Sequence, residues 1–153
     1  MLVLTFIVVA VTLLTASLGA WITRSGLEWY RTIHVPSWTP SGKAIGRVWT
    51  VIYTLTAVSA MLSLRAADSA QFPMLAALFG VNAFLNAAWS YLFFGQRQLG
   101  SAVLDSGLLA LSIVVLIVTV VPLSILAAAL LVPYLLWVIF ATGLTYAIFR
   151  LNP

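Results

Sequence analysis

Cysteine is absent from this chain, acids number three, and histidine occurs once. Without thiols there are no disulfides and no thiolate metal sites. One His and no Cys also exclude the usual zinc clusters. The acids Glu28, Asp68 and Asp105 stand far apart in sequence and offer no evident carboxylate pair. Walker loops, dinucleotide fingerprints and GxSxG elbows are missing too. His34 lies alone in a loop with no second axial candidate, and reads as a polar loop residue before it reads as a haem ligand. No metal site is expected.

Charge of either sign is scarce. Charged residues are 7% of 153, where a soluble domain carries about 25%. A chain this poor in charge cannot cover a water-facing surface. Its mean hydropathy of +1.15 and 63% hydrophobic content mark an integral membrane protein of one domain, residues 1–153. The net charge of +4 comes from scattered cations rather than a basic stripe, so nucleic acid is not an expected partner and the lipid bilayer is.

What remains is long uncharged runs with punctuation between them. The uncharged run from Met1 to Thr23 lacks a positive leader and is longer than a signal-peptide core, which points to a spanning helix. Charge-free stretches between Arg47 and Arg65 and between Asp68 and Arg97 give two more. Ser106 to Phe149 carries no charge; as helix it would run about 66 Å, roughly twice a bilayer core, so it folds back once. Pro122 in "TVVPLS" is the natural break, because proline starts a helix better than it sits within one. The expected architecture is an all-α, five-transmembrane-helix bundle. Its helices fall at about 1–23, 44–65, 71–94, 99–121 and 123–149, with a first loop at about 24–43.

Orientation follows from the basic residues. Arg24, Arg31, Lys43, Arg47, Arg97 and Arg150 fall on one side of such a bundle and only Arg65 on the other. That bias predicts a cytoplasmic first loop and C-terminus and an external N-terminus.

Polar residues within the apolar helices need partners or a purpose. Asn82, Asn86 and Trp89 recur at i, i+4 and i+7, with Phe93 continuing the stripe. Trp49, Tyr53 and Thr56 share that spacing, and Pro133, Trp137, Ala141 and Thr145 step along one face of the last helix. Two readings fit: interhelical packing through Asn, Ser and Thr, or a mostly apolar cavity for a flat ligand with a few placed polar groups. Small-residue spacings, Ala76/Gly80, Ala83/Ala87 and Ala102/Ser106/Ala110, permit close helix contact within the chain or in a homodimer.

The run "WYRTIHVPSWTP", then "VWTVIY", "LNAAWSYLFF" and "VPYLLWVIFATGLTY" with a closing "RLN", resembles the TspO/MBR family of translocator and tryptophan-rich sensory proteins. The likeness runs from about Glu28 to Asn152 in matching order. It implies a five-helix bundle, usually dimeric, with a pocket beneath the first loop. It implies as ligands tetrapyrroles (protoporphyrin IX or haem), or sterol-like molecules, with no cofactor required. It carries over Trp29, Trp38, Trp49, Tyr53, Asn82, Asn86, Trp89, Phe93, Trp137 and Ala141 as ligand-binding residues. Leu144, Tyr146 and Arg150 fit the family's sterol-recognition pattern. Trp49 and Trp137 are the candidates for the light- and oxygen-dependent porphyrin breakdown reported for some members. A sensing role through a partner is the further alternative. A bacterial cytoplasmic membrane is the implied location. The chain departs from the family pattern at Val35, Ser41, Ile45-Gly46 and Thr145, which predicts an altered lid.

Overall fold

The structure is a computed structural model that describes residues 2–153. Five helices, each long and apolar enough to cross a membrane, make up the fold, and no strand occurs among the described residues. They are α1 (Leu2–Tyr30), α2 (Gly42–Ala66), α3 (Gln71–Ser90), α4 (Leu99–Val120) and α5 (Ile125–Leu151). A π-helical turn, Tyr91–Gly95, extends α3.

The ends are set by local chemistry. Ser41 caps α2 by accepting from the Ala44 N–H, and Ser124 caps α5 by accepting from the Ala127 N–H. Between α2 and α3, Asp68 Oδ1 accepts from the N–H groups of Ala70 and Gln71, while Gln71 Oε1 accepts from the Asp68 N–H. This reciprocal pair starts α3. Pro122 falls in the turn between α4 and α5, where the missing N–H costs nothing.

One expectation is corrected. The first helix does not stop near Thr23; α1 runs to Tyr30 and contains Arg24, Gly26 and Glu28. The loop is therefore residues 31–41, not 24–43. Charge marks where the oil ends, whereas a helix continues until its backbone is broken, and no proline precedes Pro36.

Round the bundle the helices run α1, α2, α5, α4, α3 and back to α1. The packed core belongs mainly to α2, α4 and α5, through Ile52, Leu64, Ile113, Leu116, Leu131 and Val138. Ser59 Oγ donates to the Ala127 carbonyl at 2.8 Å and Asn82 Nδ2 donates to Ser112 Oγ at 2.9 Å, which ties α2 to α5 and α3 to α4. Ala102 and Ser106 are buried within the bundle, so the small-residue stripe of α4 serves packing inside the chain. Only Val8, Gly19, Ile22 and Gly26 of α1 are buried, and its other apolar side chains face outward or line cavities. At Gly26 the contact is close: a Cβ there would lie 2.7 Å from the Phe94 carbonyl oxygen. The absence of a side chain lets α1 seat against the π turn.

Candidate functional site

A cavity of about 980 Å³ occupies the loop end of the bundle, between all five helices. That is near the upper end of the range for small-molecule sites, about 300–1,000 Å³.

Its roof is the segment 31–41. Pro36 and Pro40 stiffen it, and a turn between them is closed by the Thr39 N–H and hydroxyl, both donating to the Pro36 carbonyl at 3.1 and 2.7 Å. The C-terminus holds it down. Asn152, just past α5, accepts from the His34 N–H at 3.0 Å and donates to the His34 carbonyl at 2.8 Å. Trp38 meets Phe140 edge-on at 5.8 Å between centroids, and Phe140 lies 5.3 Å from Trp137. This aromatic relay links roof to wall.

The walls are aromatic. Trp49 from α2 packs on Tyr53 at 5.5 Å and on Tyr134 at 6.1 Å. Across the cavity Trp89 and Phe93 stack at 5.1 Å, with Phe93 only 2% exposed. Trp89 and Phe93 stand four apart, the spacing that puts side chains on one helix face, and Phe93 lies in the π turn. Trp137 and Ala141 come from α5, where Pro133 removes the backbone bond to the Ala129 carbonyl. Small residues of α1, Ala16, Gly19 and Ala20, complete the wall.

The floor is a hydrogen-bonded layer. Tyr53 donates its hydroxyl to Asn86 Oδ1 at 2.6 Å, and Asn86 Nδ2 donates to the Tyr134 hydroxyl at 3.0 Å. Three helices are joined there, and the amide uses both its ends.

Two features make the cavity chemically specific. Trp89 and Trp137 line it, and both indole N–H groups are buried without a hydrogen-bond partner. Such an orphan costs about 1–3 kcal/mol in the free protein, and neither nitrogen faces the open space of the cavity. Among the lid-side cations, Arg24 lines the cavity; Arg31, Lys43 and Arg47 do not. Asp105 is 7% exposed with one carboxylate oxygen unpartnered, but it does not line the cavity.

The expected site residues divide accordingly. Trp49, Tyr53, Asn86, Trp89, Phe93, Trp137 and Ala141 are brought together around one space. Trp38 stands at the rim, 52% exposed. Trp29 is not in the wall: it packs behind Phe93 at 5.9 Å, with the Arg97 guanidinium 5.8 Å above its ring. Asn82 lies below the floor, on the wall of a different cavity. Of the sterol pattern, Leu144 lines the main cavity, whereas Tyr146 is 48% exposed and receives a hydrogen bond from Arg150 at 3.1 Å. These three residues do not form one site. Sequence reasoning missed the α1 wall and the Asn152 clasp. The signal for the first was available, because Gly19 and Gly26 stand seven apart on one helix face. Nothing local marks Asn152 as a partner of His34.

Comparison with known proteins agrees with this architecture. The family model described as TspO/MBR family matches residues 6–151. An uncharacterized membrane protein of Bacillus subtilis, YtaB, is 39% identical over 82% of this chain and 81% of its own. A tryptophan-rich protein TspO of Bacillus cereus is 37% identical over 81% of this chain and 80% of its own. The translocator protein of Homo sapiens is 35% identical over 83% of this chain and 76% of its own.

Proposed function

This chain belongs to the TspO/MBR family, and on that premise we propose that it is a membrane receptor or translocator for tetrapyrroles such as protoporphyrin IX or haem, bound in the cavity beneath residues 31–41. One observation carries the reading. A space of about 980 Å³ is lined by the aromatic side chains of Trp49, Trp89, Phe93 and Trp137 and by the cation of Arg24. A flat apolar ring with acidic side groups supplies the complement: faces for stacking, and a carboxylate for the cation. No cofactor is needed for such binding. The names of the human and Bacillus cereus relatives, translocator protein and tryptophan-rich protein, accord with it.

The lid faces the cytoplasm by the bias of basic residues, the N-terminus faces outward, and the chain acts as a homodimer in a bacterial cytoplasmic membrane. Porphyrin degradation is the second reading, because Trp49 and Trp137 line the same space, where a bound, photoexcited ring can be oxidised by molecular oxygen with the indoles as relays.

The test uses purified protein in detergent, with protoporphyrin IX added in the dark and then under light. Trp quenching and the porphyrin absorption band are followed for wild type, Trp49→Phe and Trp137→Phe. Saturable dark quenching with a light-stable band is the expected result. Trp-dependent loss of the band, with more than one porphyrin consumed per chain, establishes the enzyme instead. Absence of saturable quenching refutes tetrapyrrole binding.

A further inference from the structure

Below the Tyr53–Asn86–Tyr134 layer lies a second cavity, of about 270 Å³, bounded by α1, α2 and α3. Tyr53 and Asn86 border both cavities, so one hydrogen-bonded layer is floor to the upper and ceiling to the lower. The lower one is too small for a tetrapyrrole ring, and its wall is of another kind. It is built from Leu4, Val8, Ala57, Leu64, Phe72 and Phe79 and contains no Trp and no charged side chain. Thr12, Thr15 and Thr56 also border it; the hydroxyls of the first two donate to the Val8 and Val11 carbonyls of their own helix, and that of Thr56 is buried without a partner. Ile7 and Val11 line the cavity and are also exposed, which places it at the lipid boundary.

Its depth is informative. From Leu4 to Thr15 along α1 the wall spans about 16 Å, against roughly 15 Å for one leaflet of a 30 Å bilayer core. The shape is that of a slot one leaflet deep. An apolar wall gains no dispersion energy from an empty slot, and the bilayer surrounds it with hydrocarbon chains.

The mouth has a charge. Arg65 follows the wall residue Leu64, and its guanidinium donates at 3.0 Å to the hydroxyl of Thr5, which follows the wall residue Leu4. Of the chain's seven basic residues it alone lies at this end of the bundle. Its fork has five N–H donors, and Thr5 engages one nitrogen. The neighbouring Asp68 carboxylate is held at the start of α3, where its Oδ1 accepts from the Ala70 and Gln71 N–H groups. We infer that this slot is a binding site for one acyl chain of an anionic phospholipid from the leaflet opposite the lid, with the lipid phosphate held by Arg65.

The experiment has two arms, neither of which uses porphyrin, so it stands or falls separately from the function proposed above. In the first, the full chain in vesicles of phosphatidylglycerol carrying a diazirine at the end of one chain is irradiated and its adducts are mapped. Labelling concentrated on Val11, Thr12, Thr15 and Ala83, at the inner end of the slot, is expected. Labelling spread evenly over outward residues such as Leu104, Leu108 and Leu136 overturns the site. In the second, native mass spectrometry compares retention of phosphatidylglycerol, phosphatidylcholine and palmitate. Gly80 borders the slot, and a Cβ there meets no atom within 4 Å. Gly80→Phe is expected to lower phosphatidylglycerol retention at least tenfold, and Arg65→Gln to abolish the preference over phosphatidylcholine. Wild-type retention of palmitate or phosphatidylcholine equal to that of phosphatidylglycerol overturns the role of Arg65. Full retention by Gly80→Phe overturns the slot.

Discussion

Asn152 and His34 are joined by hydrogen bonds running in both directions, although 118 positions separate them in the chain. The Asn152 amide also donates to the Ile148 carbonyl at 2.8 Å, which fixes it to the last turn of α5. The roof of the cavity is thus fastened to the residue that follows α5, in addition to its Trp38–Phe140 contact with that helix. Removing the clasp should loosen the roof and leave the cavity intact. For Asn152→Ala, amide exchange across residues 31–41 should rise by one to two orders of magnitude, as expected for loss of about 1–3 kcal/mol of hydrogen bonding. Ligand association and dissociation should both accelerate, with Kd changing less than either rate. Asn152→Asp keeps the acceptor for the His34 N–H and loses the donor, so it should fall between. Exchange unchanged in both variants would show that the prolines and the Trp38–Phe140 contact hold the roof without the clasp.

Gly26 and Phe94 make the next prediction. An added Cβ would lie 2.7 Å from a backbone oxygen and 2.8 Å from the Phe94 Cβ, neither of which can swing away. Gly26→Ala should therefore cost about 1–3 kcal/mol through forced separation of α1 from the π turn. Gly107→Ala is the control, since nothing lies within 4 Å of its added Cβ. Thermal unfolding in detergent should show a drop for the first and little change for the second. Equal stability would mean that α1 shifts freely at that point.

The helix count was legible because charge and hydropathy are one-dimensional properties. Runs between Arg47 and Arg65, and between Asp68 and Arg97, must cross the oil as helices since no other open segment satisfies its backbone there. The end of α1 was less legible, because Arg24 and Glu28 report the membrane boundary and not the backbone. Helical spacing correctly put Asn82 and Asn86 on one face of α3. One turn is about 5.4 Å of rise, however, which is enough to put Asn86 in the Tyr53–Asn86–Tyr134 layer and Asn82 below it. That layer depends on three helices meeting at one depth, and a period along a single helix contains no such information. The π turn is equally silent, since it answers to the seat that Gly26 gives Phe94.

Asn86 bridges two tyrosines, so its replacement should be costly in a particular way. Asn86→Leu leaves the Tyr53 and Tyr134 hydroxyls without the partners they have now, at about 1–3 kcal/mol each. Tyr53→Phe in the wild-type background removes one side of the bridge. In the Asn86→Leu background the same change removes an orphan and should restore stability. The cycle should thus show coupling of about 0.5–3 kcal/mol between the two residues. Chemical or thermal unfolding of the four proteins measures it. Additive effects would mean that the layer is three separate contacts.

The unpartnered indoles of Trp89 and Trp137 set stability and affinity in opposition. A buried N–H with no acceptor burdens the free protein, and a bound carboxylate toward which the indole turns would relieve it. Trp137→Phe deletes the donor and keeps an aromatic face, so part of the packing loss should be offset by the removed orphan. Free-protein stability should change by less than about 1 kcal/mol, below the 3–5 kcal/mol typical of large aromatic truncation. Affinity for protoporphyrin IX should nonetheless fall about five- to tenfold, corresponding to roughly 1–1.4 kcal/mol of lost hydrogen bonding. Trp89→Phe should behave alike, with the stack on Phe93 preserved as a Phe–Phe pair. Octaethylporphyrin, which keeps the ring and has no carboxyl or carbonyl oxygen, separates the causes: it should bind wild type and both variants with nearly equal, weaker affinity. If it discriminates among them as strongly as protoporphyrin IX does, the indoles act through ring contact, and their N–H groups contribute nothing to recognition.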